Sequence, residues 1–142
     1  MGKNIRILLI EDNPGDAYLI KEYLEEFASF SYELIIVETL GEALSALKKK
    51  HFDVILLDLE LPDSFGVDTF LSIHNKYPTI PHIILTGFND EKIGTYAIKE
   101  GAHDFLIKGQ TEGRLLECIK QCTIEHKKKL SSITEGCYFQ HL

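Results

Sequence analysis

Glu11 and Asp12 are adjacent acids that follow the apolar run Ile5–Ile10. Asp58 closes a second apolar run, Thr86 and the small Gly87 close a third, and Lys108 closes a fourth. If those runs are neighbouring strands, three carboxylates, a hydroxyl and an ammonium meet at one edge. Packed carboxylates repel, so either one keeps its proton or a cation neutralises them. Oxygen donors without His or Cys select the hard ions Mg²⁺, Mn²⁺ or Ca²⁺. A few loop carboxylates open to water suit Mg²⁺ (magnesium), which keeps several waters and shares phosphate oxygens. A carboxylate can also act as a nucleophile and become an acyl phosphate. The cation and Lys108 would then offset charge on an entering phosphoryl group, Thr86 would donate a hydrogen bond to it, and Gly87 would leave it room. Each part has a place in phosphoryl transfer, which depends on positioning and electrostatics.

The elements that must position these groups can be read from the pattern. Ile5–Ile10 is a buried strand, and Asn13-Pro14-Gly15-Asp16 is a turn that caps a helix running to about Ala28. Ala17, Ile20, Leu24 and Phe27 form its expected inner face. Glu33–Glu38 is a second strand, and Gly41–Lys50 a helix with Ala43, Leu44 and Leu47 inward. Asp53–Leu57 is a third strand, followed by a loop over Leu61–Gly66 and a helix over Val67–Tyr77. His82–Leu85 is a fourth strand, Asp90–Glu100 a helix closed by Gly101 at C′, Asp104–Ile107 a fifth strand and Thr111–Leu130 a last helix. That helix should bury Leu115, Leu116, Ile119 and Cys122.

Continuous apolar strands alternating with helices predict an α/β fold: a doubly wound, five-stranded parallel sheet, flavodoxin-like, (βα)5, with order 2-1-3-4-5. Ligands in such sheets bind beyond the carboxyl ends of the strands, where the order reverses. That rule gathers the five groups.

Bulk properties narrow the classes. The net charge is −7, so the basic footprint of a nucleic-acid binder is missing. Lys127-Lys128-Lys129 sits near the end of the last expected helix, where it complements the dipole. No apolar run approaches membrane-spanning length. The start does not look like a signal peptide, and three late cysteines do not make a disulfide framework, so a cytoplasmic setting is expected. Cys118, Cys122 and His126, spaced four apart, read as one buried helix stripe. In-line residues on a single helix do not close a tetrahedral metal site. Residues 1–131 are expected to form one domain. Residues 132–142, whose Glu135–Gln140 stretch resembles a protease tag, are expected to be a disordered or vector-derived tail.

Over about Lys3 to Leu130 the chain resembles the receiver domains of response regulators in two-component signalling. Glu11-Asp12 match the acidic pair, Asp58 the phosphoacceptor, Thr86 the switch hydroxyl and Lys108 the family lysine. Leu61-Pro62, Gly66, Gly101-Ala102 and Asp104-Phe105 match further signatures. The resemblance implies Mg²⁺ held by Asp12, Asp58 and the backbone carbonyl of Glu60, with Glu11 partly through water. It implies a phosphohistidine donor on a sensor histidine kinase or histidine phosphotransfer protein, self-catalysed transfer to Asp58 and self-catalysed dephosphorylation. It further implies a downstream protein partner, with the face of the fourth helix, fifth strand and last helix as a candidate homodimer contact. The loops Asn13–Asp16 and Leu61–Gly66 resemble receivers that work alone or beside sensory domains, which favours protein relay over direct nucleic-acid binding.

Some positions depart from the commonest pattern. Phe105 occupies the aromatic switch position, often Tyr, and so has no hydroxyl to offer. Gly109 stands where the family usually has a cis proline, so a trans bond is expected. Glu60 and Phe88 lie two residues beyond Asp58 and Thr86, positions that the resemblance implies tune the phosphoryl lifetime. Three other functions compete. A haloacid-dehalogenase-like phosphatase would place a second Asp where Glu60 stands. A nucleotide- or flavin-binding module would carry a glycine-rich loop after the first strand. The third is an unphosphorylated interaction domain.

Overall fold

The computed structural model describes residues 4–87, 91–109 and 113–125. Five parallel strands form the central sheet: β1 (Ile5–Ile10), β2 (Tyr32–Val37), β3 (Val54–Asp58), β6 (His82–Thr86) and β7 (Asp104–Ile107). Their order is β2-β1-β3-β6-β7. Counting only the strands of this sheet, that is the expected 2-1-3-4-5. Between β3 and β6 lies an additional two-stranded antiparallel hairpin, β4 (Glu60–Leu61) and β5 (Ser64–Phe65).

The strands alternate their side chains between two cores. Ile5, Ile7 and Leu9 of β1, Val54 and Leu56 of β3 and Leu106 of β7 face one core. Two helices cover it: α1 (Pro14–Phe27) through Ala17 and Leu24, and α5 (Leu115–Lys120) through Leu115, Cys118 and Ile119. Leu8, Ile10, Ile55 and Leu57 face the opposite core. There α2 (Leu40–Lys49), α3 (Val67–His74) and α4 (Glu91–Lys99) bring Ala43, Leu47, Phe70, Ile73 and Ala97. Apolar residues on both faces of each central strand are what a parallel sheet between helical layers requires.

Local chemistry sets the helix starts. Asn13 caps α1, its Oδ1 accepting from the Asp16 N–H at 3.0 Å, and Pro14 takes the first helical position. Thr39 caps α2 in the same way, while Glu42 reaches back to the Glu38 N–H at 2.8 Å. Gly101, at φ +121°, ends α4, as expected for a C′ glycine. Its surroundings leave no room for more: a Cβ there would meet His74 Nε2 at 2.6 Å.

Four expectations need correction. Phe27 is not inward but 56% exposed. As the last residue of α1 it falls about 80° round the helix from Ala17, and its ring rests on Tyr23 instead, 5.2 Å between centroids. Leu61–Gly66 is not plain loop but contains most of the hairpin. Asp63 inside it accepts from the Leu40 and Gly41 N–H groups, at 2.8 and 3.0 Å, and so pins the turn to the start of α2. The third helix stops at His74, with Lys76 and Tyr77 N–H both turning back to the Ile73 carbonyl. The last helix starts at Leu115 and passes into a π-helical turn, Gln121–Glu125. Phe88, Thr111, His126, Lys127–Lys129 and the 132–142 tail lie outside the described residues.

Candidate functional site

The site lies where the sheet order reverses, between the carboxyl ends of β1 and β3. Glu11 and Asp12 leave β1, and the Glu11 N–H continues the ladder to the Val37 carbonyl at 2.9 Å. Asp58 is the final residue of β3, held in register opposite Leu85 of β6. Thr86 ends β6, and Lys108 follows β7 with its N–H bonded to the Thr86 carbonyl at 2.8 Å. The strand ladders thus deliver all five groups to one edge.

Lys108 is the hub. Its Nζ lies 2.7 Å from Glu11 Oε1, 3.0 Å from Asp16 Oδ2 and 3.2 Å from Asp58 Oδ2. The contacts to Asp16 and Asp58 are hydrogen bonds. The approach to Glu11 is close enough for an ion pair, yet Oε1 has no hydrogen-bond partner of good geometry. Burial alone would lower the ammonium's pKa. The close Glu11 carboxylate, the bond to Asp16 and the charge of Asp58 outweigh that and raise it, so Lys108 stays charged.

Glu11 shows the opposite balance. It is buried, and desolvation pushes its pKa up to about 7, with Asp58 beside it adding to the rise and Lys108 opposing it. One lysine therefore does not neutralise this cluster. Carboxylate oxygens of Glu11, Asp12 and Asp58 lie within 4.8 Å of one another. An all-oxygen cluster, short of positive charge and with a buried carboxylate oxygen that makes no hydrogen bond, fits a hard divalent cation.

On the other side of Asp58 a cavity of about 180 Å³ opens, walled by Glu60, Phe65, Thr86, Gly87 and Lys108. It exceeds the roughly 30 Å³ share of one water several-fold and so admits a tetrahedral group with solvent. Asp58 Oδ1 accepts from the Glu60 N–H at 3.1 Å, which orients the carboxylate toward this space. The Glu60 side chain itself is exposed. Thr86 is buried, and its hydroxyl makes only a long bond, 3.4 Å, to the Leu106 carbonyl. Phe105 packs its ring against Gly94 of α4, where a Cβ would come within 2.5 Å of Cγ. The Lys108–Gly109 bond is trans, as expected, and Gly109 takes φ +87°.

Asp16 was not among the groups that sequence reasoning gathered. The available signal was an acid in the first turn of the helix that begins just past the acidic pair. Cys118 and Cys122 prove to be buried thiols bonded to Asp104 Oδ2 and the Ile119 carbonyl, 3.5 and 3.6 Å away. Burial pushes their pKa values up to about 11 and about 12, which keeps them neutral and unreactive.

A family model described as the response regulator receiver domain matches residues 7–120. The regulatory protein LuxO of Vibrio cholerae is 33% identical over 107 residues, covering 75% of this chain and 23% of that protein. The transcriptional regulatory protein ZraR of Klebsiella oxytoca is 25% identical over 134 residues, covering 94% of this chain and 30% of that one. The chain thus spans less than a third of the length of either relative. A response regulator receiver domain protein from Clostridium thermocellum superposes with TM-score 0.77 at 30% identity, covering 89% of this chain and 98% of that one. A CheY-like receiver domain protein from Methanospirillum hungatei does so with TM-score 0.76 at 28% identity, covering 89% and 99%.

Proposed function

Since this chain belongs to the response regulator receiver domain family of two-component signalling, we propose that Asp58 is its phosphoacceptor and that Glu11, Asp12, Thr86 and Lys108 serve the transfer. Receiver domains receive their signal from a histidine kinase or phosphotransfer partner, and generally bind Mg²⁺ at an acidic site. Here Asp12, Asp58 and the Glu60 carbonyl would hold the ion, with Glu11 behind them. When bound, Mg²⁺ supplies positive charge against the phosphoryl oxygens. The observation that carries the proposal is the convergence on one oxygen pair. Asp58 Oδ1 is fixed by the Glu60 N–H, and Oδ2 is bonded to the charged Lys108 beside an open cavity.

The chemistry balances simply. A carboxylate oxygen of Asp58 attacks phosphorus, the donor's P–N bond breaks, and the imidazole leaves with the bond's electrons. Lys108 then faces a phosphoryl oxygen, and Thr86, weakly held by Leu106, turns its hydroxyl toward another. Phe105 follows into the space Thr86 gives up. Water later attacks phosphorus and returns the carboxylate and inorganic phosphate, with Glu60 and Phe88 governing its access. A dehalogenase-type phosphatase is not favoured, because its second acid would have to act from the exposed Glu60 side chain.

We extend the proposal to a cytoplasmic setting, a domain over residues 1–131 and a protein rather than nucleic-acid readout, with the face of α4, β7 and α5 as the homodimer candidate. The net charge of −7 supports the readout, and among the described residues no helix is long and apolar enough to cross a membrane. The test is phosphoryl uptake from acetyl phosphate, followed by intact mass. Uptake is expected with Mg²⁺ and should vanish when EDTA removes it. Uptake that persists in EDTA contradicts the metal assignment.

A further inference from the structure

We infer that Asp16 is a positioning residue for phosphoryl transfer, holding the Lys108 ammonium at its working place beside Asp58. The inference rests on the reading of Asp58 as phosphoacceptor and adds a group that this reading does not contain. An ammonium has three N–H donors, and here three carboxylates from three elements surround it. Only Asp16 stands apart from the acidic cluster and from the cavity above Asp58.

The three contacts do different things during the reaction. When Asp58 becomes an acyl phosphate, its negative charge moves outward to the phosphoryl oxygens, and the Lys108 bond to Oδ2 must follow it. The Glu11 contact is oblique and lies among the groups a cation would draw on. The bond to Asp16 Oδ2, at 3.0 Å, involves neither change. It can therefore persist from ground state to product and act as the pivot about which the ammonium turns.

Asp16 is well built for that task. Its backbone is locked at the third position of α1 by the 3.0 Å bond from its N–H to the Asn13 side chain. A carboxylate in a first helical turn is favoured by the dipole, so the anion costs little there. Lysine is a flexible point charge on a four-carbon stem and needs such a tether to keep one geometry. Asp16 is more exposed than Glu11 or Asp58, so its repulsion of an incoming phosphoryl group is screened more than theirs.

The experiment measures the rate constant of phosphorylation by acetyl phosphate at saturating Mg²⁺ in wild type, Asp16→Asn, Asp16→Ala and Asp16→Glu. The same Asp16→Ala change is also made in a Lys108→Arg background. The expected result is a roughly three- to tenfold fall in the maximal rate for Asp16→Ala, with no matching change in the half-saturating donor concentration. Asp16→Asn, which keeps an acceptor, should fall less, and Asp16→Glu should recover part of the loss. In the Lys108→Arg background the Asp16→Ala loss should shrink, because the two residues act as one unit. A rate for Asp16→Ala equal to or above wild type, or the same fractional loss in both backgrounds, overturns the inference. Melting curves of the variants control for folding, and the backbone cap, which does not use the Asp16 side chain, should keep them close to wild type. If wild type itself takes up no phosphoryl group, it is the assignment of Asp58 that fails.

Discussion

At the scale of single residues, the site is a problem in charge balance that the chain leaves unsolved on its own. Asp58 and Glu11 share one lysine, and Glu11 responds by holding its proton to about pH 7. The residues that carry this were legible in the sequence for a plain reason. Each stands at the carboxyl end of an apolar strand, and parallel sheets bring those ends together. Asp16 was not legible, because its reach to Lys108 depends on the direction of one helical turn and on a contact 92 positions away in sequence. A second buried residue makes a prediction of its own. His82 is fully enclosed, its Nδ1 bonded to the Ile80 carbonyl and its Nε2 without a partner, with the rings of Phe70 and His74 around it. Burial, then the neighbouring His74, lowers its pKa from 6.5 to about 4. The unfolded chain thus binds a proton on His82 over that interval and the native state does not. The stability is fully present above pH 6.5 and is lost as pH falls toward 4. The loss is on the order of 3 kcal/mol. Over the same interval the raised pKa of Glu11 shifts stability the opposite way, so the His82 contribution is read as a difference: in urea titrations from pH 7 to 4, wild type should lose stability relative to His82→Leu as pH falls. An unchanged slope in the variant contradicts the account.

At the scale of elements, long strands and amphipathic helices came through from periodicity, and short or mixed pieces did not. A hairpin of two-residue strands is too brief to show alternation. What forms it is tertiary: Asp63 on the α2 N-terminus, Ser64 Oγ 2.7 Å from Thr69 Oγ1, and the Gly66 N–H on the Leu59 carbonyl. The N–H groups of Leu40 and Gly41 hold the Asp63 carboxyl below its ordinary range, so this anchor weakens only as pH falls into the acid region. The hairpin matters because it carries Glu60 and Phe65, which wall the cavity over Asp58. Elsewhere, α4 and β7 meet at Gly94 and Phe105 without room for one methyl group. Gly94→Ala should therefore cost about 1–3 kcal/mol from overpacking, offset by up to ~1 kcal/mol of helix propensity. Thermal denaturation should show a lower melting temperature for Gly94→Ala. The same change in a Phe105→Ala background should be neutral or stabilising, since the clash is gone. Equal losses in both backgrounds would show that the ring does not set the spacing of α4 and β7.

At the scale of the whole molecule, one sheet with two cores presents one chemical edge, and the fold class, strand order and site location follow from the same repeated pattern. The readout does not. The chain spans less than a third of the length of LuxO or ZraR, the larger regulators it resembles. What a phosphorylated module acts upon is decided by surfaces, and surface residues carry no periodic signal of their partner. The chemistry can nevertheless be tested in the isolated chain, because donor, acceptor and cation can all be supplied. The most direct measurement is intact mass after incubation of wild type and Asp58→Asn with acetyl phosphate and Mg²⁺, and with a phosphorylated histidine kinase. Neutral pH and rapid sampling are required, since acyl phosphates break down in acid and in base. A single phosphoryl adduct in wild type that is absent from Asp58→Asn is the predicted result. An adduct of equal extent in both proteins, or none in wild type with either donor, would contradict the assignment of Asp58.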